Sequence, residues 1–265
     1  MAKATHLRTV WVTRYITPLR EGGSLPAIAE ADDGFMYALK FRGAGQGIRA
    51  LIAELIGGEA ARALGLRMPE IVFAQLDEGF GRTEPDEEIQ DLLKASTGLN
   101  LALHYLSGSI SFDPAVHTVD APMASLIVWL DGWLMNMDRT AKNTNMLFWN
   151  KELWLIDHGA ALYFHHGGNG WQNQPGKPFP LIKNHVLLQS ASDMEAADKL
   201  AKDLLSDAVI ERIMEQIPDS WLVESTEGED TAANRRAAYA TFLKQRRDVS
   251  AVFIKEANDA RQEPV

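Results

Sequence analysis

The sequence predicts an α+β chain that is mainly β in its first part and mainly helical in its second. Three observations predict it. Short β-branched and aromatic runs, separated by Gly, Pro and Asp turns, surround one helix before residue 106. From Asp120 onward the apolar spacing becomes helical. The chain's 265 residues are 46% hydrophobic and 23% charged, ordinary usage for a folded protein with a sizeable core. The change of pattern divides the chain into 1–106 and 107–265, two parts of a single domain.

Each element has its own signal. Thr9–Ile16 is β-branched and aromatic and predicts a strand, followed by a loop, Pro18–Pro26, where Gly22 and Gly23 permit positive φ and close backbone approach. A short strand, Ala27–Glu30, turns at Asp32-Asp33-Gly34 into a strand from Phe35 to Phe41. A second glycine cluster, Gly43-Ala-Gly-Gln-Gly47, leads into a helix from about Ile48 to Leu64. Ile48, Leu51, Ile52, Leu55 and Ile56 share one face of it, and Gly65 closes it. Pro69–Leu76 is another strand. Asp77–Thr97 is an acidic excursion with helical character over Asp86–Lys94, and Leu101–Leu106 is a strand with a flexible exit over Ser107–Pro114.

The second part opens with a helix capped by Asp120, with Pro122 in its first turn and Leu126, Ile127, Leu130 and Leu134 packing inward. A polar loop, Asn136–Asn145, runs into an apolar hairpin that turns at Asn150-Lys151-Glu152 and ends in Asp157-His158-Gly159. The stretch from there to Pro180 is irregular. Helices are expected over Asp193–Gln216 and from Thr231 to about Ala257, with a loop over 217–230. Adjacent histidines on an extended chain point opposite ways, and without cysteine partners His165 and His166 do not read as a metal site. The Lys244-Gln-Arg-Arg247 cluster reads as a solvated face.

Charge and composition exclude several functions. A net charge of −10 argues against broad binding to nucleic acid or to anionic membrane. The absence of cysteine removes disulfides and thiolate metal sites, and no run approaches the ~18 apolar residues of a membrane span. A cytoplasmic protein is expected, with neither membrane nor direct nucleic-acid contact.

The chemistry is concentrated between Asn136 and Gly159. Phosphoryl transfer from a nucleotide needs a carboxylate to accept the attacking hydroxyl's proton, plus an amide and a second carboxylate for magnesium. Asp138, Asn143 and Asp157 fit those roles in chain order, implying ATP and Mg2+. Upstream, Lys40 ends a strand, and Glu54 and Glu59 ride the following helix. A strand lysine paired with a helix glutamate holds the α- and β-phosphates of ATP, and Glu54 is the preferred partner. Two glycine clusters compete to cover the phosphates: Gly22-Gly23-Ser24, favoured as a lid, and Gly43–Gly47 before a helix N-terminus. Backbone groups from Tyr105 to Ser107 sit where a hinge would meet an adenine edge.

Asn136-Met-Asp138-Arg139-Thr140-Ala-Lys142-Asn143 resembles the N-x-D-x-H-x-K-N catalytic loop of HipA-like serine/threonine kinases, the family of bacterial persistence toxins. The likeness extends to Gly22–Pro26, Lys40, Ala53-Glu54, Ala60–Leu66, Gly98–Leu101 and Tyr105-Leu106, and so covers most of residues 15–165. It implies a two-lobed, protein-kinase-like fold of the HipA and phosphoinositide-kinase type. A small, mainly β nucleotide-binding lobe would be followed by a larger helical catalytic lobe. Asp138 would be the base, Asn143 and Asp157 the magnesium ligands, and Lys40 the phosphate contact. Ser24 would be a candidate autophosphorylation site. Two departures stand out: Thr140 replaces the pattern's His, and Asp157-His158-Gly159 replaces the Asp-Phe-Gly of eukaryotic kinases. The toxin's N-terminal extension has no counterpart, which leaves an antitoxin partner open. The expected activity is transfer to a protein Ser/Thr hydroxyl. The alternatives are a small-molecule or lipid kinase and a non-catalytic nucleotide-binding regulator.

Overall fold

Alternation of small apolar and polar residues builds the first part. In a computed structural model, which describes residues 7–19, 25–82, 84–166, 171–223 and 231–263, five strands close into a barrel. They are β1 (Thr9–Pro18), β2 (Ala27–Ala31), β3 (Met36–Lys40), β4 (Ile71–Leu76) and β5 (Gly98–His104), in the order β1-β2-β3-β5-β4. Val10 and Val12 point inward while Trp11 points out, as the two-residue period of a strand requires. Ala27, Ala29, Ala31, Ala74 and Ala102 keep the interior narrow. The barrel closes where β1 runs parallel to β4, with Val10 opposite Ala74.

Between β3 and β4 lies α1 (Gly47–Ala63), which is buried around most of its circumference. Its apolar residues belong to the larger core shared with the helical part, so α1 ties the barrel to the rest. Gly57 and Gly58 permit that: an added Cβ would meet His158 Cβ at 2.5 Å and Ile71 Cδ1 at 2.4 Å, respectively. A helix, α2 (Glu87–Ala95), follows β4 within the acidic excursion, and Asp86 stands just before it as its cap rather than inside it. β5 starts three residues before the expected strand. Buried Asn100 accepts Arg42 N–H at 2.8 Å and donates to Ser96 and Gly98 carbonyls, which lets a polar residue lie inside the strand.

A second sheet follows, made of β6 (Ile110–Ser111), β7 (Met146–Trp149) and β8 (Glu152–Leu155). The expected turn is present, with Asn150 at φ 50° and Lys151 at φ 66°, the twist that suits a two-residue hairpin. β6 was not anticipated: part of the expected flexible exit pairs with β7. Between β6 and β7 in the chain lies α3 (Ala121–Leu134), capped by Asp120 through Met123 N–H at 2.9 Å and closed by Met135 in the left-handed region.

The remaining helices are α4 (Met194–Leu204), α5 (Asp207–Glu215), α6 (Asp219–Leu222), α7 (Ala232–Asp248) and α8 (Ala251–Gln262). Both long helices read from the sequence are therefore divided. Ser206 caps α5 through Val209 N–H, and Ser250 spends its hydroxyl on Asp198, so each serine marks a helix break. The basic cluster is also corrected. Arg246 is fully buried and donates to the carbonyls of Gly132, Trp133, Pro175 and Lys177, while Arg247 binds Leu205 O and Asp207. Four carbonyls satisfy a guanidinium that burial pushes down to about 10. His165 and His166 lie in a 3-10 turn rather than an extended chain, so their Nε2 atoms face each other at 3.1 Å. Among the described residues no helix is long and apolar enough to cross a membrane.

Candidate active site

Lys40 is the last residue of β3, and its side chain reaches between α1 and the segment after β8. Its Nζ lies 2.7 Å from Glu54 Oε2 and 2.5 Å from Asp157 Oδ1. Glu54 is fully buried and also accepts the His158 N–H at 2.7 Å. Burial opposes the Lys40 charge, yet Asp157 and then Glu54 outweigh it and hold the ammonium above its usual range. The Lys40 cation holds Asp157 below the carboxylate range, while burial leaves Glu54 above it despite Lys40. The cation is thus shared unequally, in favour of the more exposed Asp157. Asp157 sits at φ 55°, in the left-handed region, and its Oδ1 also accepts Gly159 N–H. Glu59, the other helix glutamate, instead pairs with Arg62 and Gln216.

The loop after α3 supplies a second cluster. Asn143 Nδ2 donates to Asp138 Oδ2 at 2.8 Å, and Asn145 Nδ2 approaches the same oxygen at 3.3 Å. That orientation leaves Asn143 Oδ1 without a partner among the described residues. Asp157 Oδ2 is likewise unengaged among them. An ionised carboxylate oxygen and an amide oxygen form a hard donor set, which suits magnesium.

Both clusters line one cavity of about 990 Å³. Lys40, Asp138, Lys142, Asn143 and Asp157 mark its polar region, and Ala38, Leu103, Leu106, Phe112, Met146 and Ile156 mark an apolar one. Tyr105 lines it too, but its N–H is committed to Met36 O at 2.8 Å and its carbonyl to Ser107 N–H at 3.1 Å. Leu106 N–H has no partner among the described residues. Gly22, Gly23 and Ser24, the favoured lid, lie outside the described residues. Its flanks, Leu19 and Pro26, are joined by a 2.7 Å backbone bond and line the cavity. In the rival cluster, Gly47 lines the cavity at φ 62°, whereas Gly43 packs on Ala95, where an added Cβ would approach to 2.7 Å.

Behind the loop lies a buried network that the motif reading left without roles. Asp131, near the end of α3, accepts Arg139 Nε at 2.6 Å, Asn136 Nδ2 at 2.9 Å and His185 Nε2 at 2.9 Å. Arg139 continues to the carbonyls of Asn145 and Ile156 and to His158 Nε2 at 3.1 Å. Burial, reinforced by the Arg139 charge, pushes His158 down to about 3, so it is neutral and accepts from Arg139. Burial opposes the Asp131 charge, but Arg139 outweighs it and holds the carboxyl far below its usual range. One signal was available for Asp131: a carboxylate inside an otherwise apolar helix requires buried partners.

A family model described as HipA-like kinase matches residues 12–250. No curated protein matches the chain at a significant level. Among solved structures, the Helicobacter pylori proinflammatory kinase CtkA is similar with a TM-score of 0.58 at 12% identity, covering 96% of this chain and 97% of that one. The Golgi casein kinase with Mn/ADP bound is similar with a TM-score of 0.50 at 11% identity, covering 94% of this chain and 73% of that one. The likeness is one of fold: a β-rich N-terminal part and a helical remainder.

Proposed function

This chain belongs to the HipA-like kinase family and is a kinase-type phosphotransferase, and we propose that it transfers the γ-phosphoryl of ATP, with magnesium, to a protein serine or threonine hydroxyl. The observation that carries the reading is that Lys40, braced by Glu54, and Asp157 line the same cavity as the Asp138–Asn143 pair. In this reading, adenine occupies the apolar region beside Tyr105, where Leu106 N–H offers the free backbone donor. Lys40, held by Glu54, meets the α- and β-phosphates. Asp138 accepts the proton of the attacking hydroxyl, oriented by Asn143 and Asn145. Asn143 and Asp157 would hold magnesium, which when bound neutralises charge on the phosphates. Residues 1–106 and 107–265 act as nucleotide-binding and catalytic lobes, with Gly22, Gly23 and Ser24 in the covering loop. The Mn/ADP of the Golgi casein kinase accords with nucleotide and divalent-metal use. In this reading the enzyme works in the cytoplasm, which its cysteine-free composition supports.

The test is incubation with γ-labelled ATP, magnesium and a cell lysate, beside an Asp138→Asn control. Label on serine or threonine of a protein, absent with the control, is the expected result. Label confined to metabolites or lipids would make it a small-molecule or lipid kinase. ATP binding without label anywhere would make it a nucleotide-binding regulator and overturn the activity.

A further inference from the structure

We propose that His185 is a positioning residue for the Asp138 loop, so that docking of its segment is a condition for turnover. The proposal deepens the reading above and rests on Asp138 being the base. A 3-10 turn, Pro180–Asn184, delivers His185 with its side chain only 2% exposed. Its Nδ1 accepts Leu187 N–H at 3.0 Å, which puts the proton of a neutral ring on Nε2. Nε2–H therefore donates to Asp131 Oδ2 at 2.9 Å, the oxygen that Arg139 Nε also reaches. Asp131 Oδ1 takes Asn136 Nδ2 at 2.9 Å, and Asn136 Oδ1 takes the Asp138 N–H at 3.2 Å. A continuous chain of hydrogen bonds thus runs from His185 through Asp131 and Asn136 to the backbone of Asp138.

The main chain repeats the connection. Val186 N–H donates to Arg139 O at 3.0 Å, and His185 pairs with Thr140 across an isolated β-bridge. Thr140 is the residue that stands where the family pattern has a histidine, and this chain brings an imidazole beside the same loop from 45 residues further on (185 − 140). Among the described residues three side-chain donors hold the Asp131 carboxylate, two on Oδ2 and one on Oδ1. With the His185 donor gone, two remain, and the carboxylate can turn about its Cβ–Cγ bond and carry Asn136 with it. In a buried site such a network holds its geometry only when every member is satisfied. His185 does not line the cavity, so it acts through Asp131 rather than on substrate.

The experiment compares transfer of label from γ-labelled magnesium-ATP to the proteins of a heat-treated cell lysate, which supply the acceptor hydroxyl, by the full chain and by His185→Gln, His185→Asn and His185→Phe. Gln keeps a donor at the Nε2 position, whereas Asn keeps only the acceptor for Leu187 N–H, and Phe keeps neither. In Asn and Phe, kcat is expected to fall about 10- to 100-fold with KM for ATP within about twofold, and Gln to recover most of the loss. Equal kcat in Gln and Phe, or a loss carried by KM, overturns the proposal. A second readout needs no variant: long-range 1H–15N spectra of the wild type should show Nε2 protonated and Nδ1 bare. The opposite tautomer, or an imidazolium, overturns it. A wild type that binds ATP but labels no protein in that lysate overturns the base reading and this proposal together. A wild type that turns over while all three variants match it overturns only the role of His185.

Discussion

Around Lys40 three charged side chains satisfy one another directly, whereas around Asp138 two neutral amides hold the carboxylate and the charges lie one layer behind it. The Lys40 cluster is largely buried, and each member's ionisation depends on the others. The Asp138 cluster opens to the cavity, with Asn143 exposed, and its rigidity comes from Asp131 and Arg139, both fully buried. The difference separates two kinds of sensitivity. Loss of the Lys40 cation, which would leave a buried carboxylate uncompensated, should disturb folding and nucleotide binding together. Loss of charge at Asp138 should disturb chemistry alone.

The largest effect is therefore expected from the mildest change. Asp138→Asn keeps the shape of the side chain and removes the proton acceptor. Turnover should fall about 10³-fold, as for the loss of a general base, with melting temperature and ATP affinity nearly unchanged. Turnover within a few-fold of the parent would break the contrast at once. Asp157→Ala comes next. Calorimetry of ATP binding with and without magnesium should lose most of its metal dependence, since the anionic oxygen of the proposed site is gone. A metal effect as large as the parent's would move the site elsewhere.

Lys40→Met probes the buried side of the comparison. It leaves Glu54 fully buried beside Asp157 with no cation, and such an uncompensated charge costs about 3–5 kcal/mol. The pH dependence has a definite sign. Burial already raises the Glu54 carboxyl above its ordinary value of 4.5, and removing Lys40 raises it further. The folded variant then holds the proton more tightly than the unfolded chain does. Its stability is retained below about 4.5 and lost as pH rises through the folded-state value. Thermal melts should show a smaller deficit near pH 5 than near pH 8. A deficit independent of pH would mean that Glu54 is not the destabilised group.

The local parts of this site were legible in the sequence, and the distant ones were not. Asp138 and Asn143 lie five residues apart on one loop, and the Asn150-Lys151 turn fixes the hairpin that carries Asp157, so spacing alone brought them near. Lys40 and Glu54 follow from strand and helix order. Closure of the barrel by Val10 beside Ala74 joins strands 64 residues apart (74 − 10), with no turn signal between them. His185 and Arg246 were illegible for a related reason. A polar residue bound to carbonyls or to a carboxylate far along the chain has the same composition as one in water. The two helix breaks were visible only as serines, which helices also carry in their interiors.

Adjacent glycines on α1 sharpen the comparison further. In Gly57→Ala the new Cβ would meet His158 Cβ and Cγ at 2.5 and 2.7 Å, and the Asp157 segment has to shift. Such overpacking costs about 1–3 kcal/mol, and ATP affinity should fall with stability because Asp157 moves. In Gly58→Ala the first obstacle is the mobile end of Ile71, on the barrel. Stability should fall less, and ATP affinity should stay within about twofold of the parent. Equal losses of affinity in the two variants would show that contact with His158 does not govern the site.

The smallest expected effect separates the two glutamates that the sequence offered. Glu54→Gln keeps size and one acceptor oxygen while removing a buried charge. Losing the attraction to Lys40 and losing the desolvation penalty act in opposite directions, so stability should change by no more than about 1 kcal/mol. Its Oε1 lacks a partner among the described residues, so the oxygen can stay on the Lys40 and His158 side with the amide nitrogen replacing Oε1. Lys40 then has Asp157 as its one anionic partner among the described residues and its ammonium is less firmly directed, which should weaken ATP about 3- to 10-fold, roughly one pKa-unit equivalent or less. Glu59→Gln alters a pair with Arg62, neither of which lines the cavity, and such a pair contributes about 0.3–0.5 kcal/mol. ATP affinity there should match the parent's. Calorimetry of both variants decides the matter: equal affinities would remove Glu54 from the nucleotide site and reduce its bond to Lys40 to a structural contact.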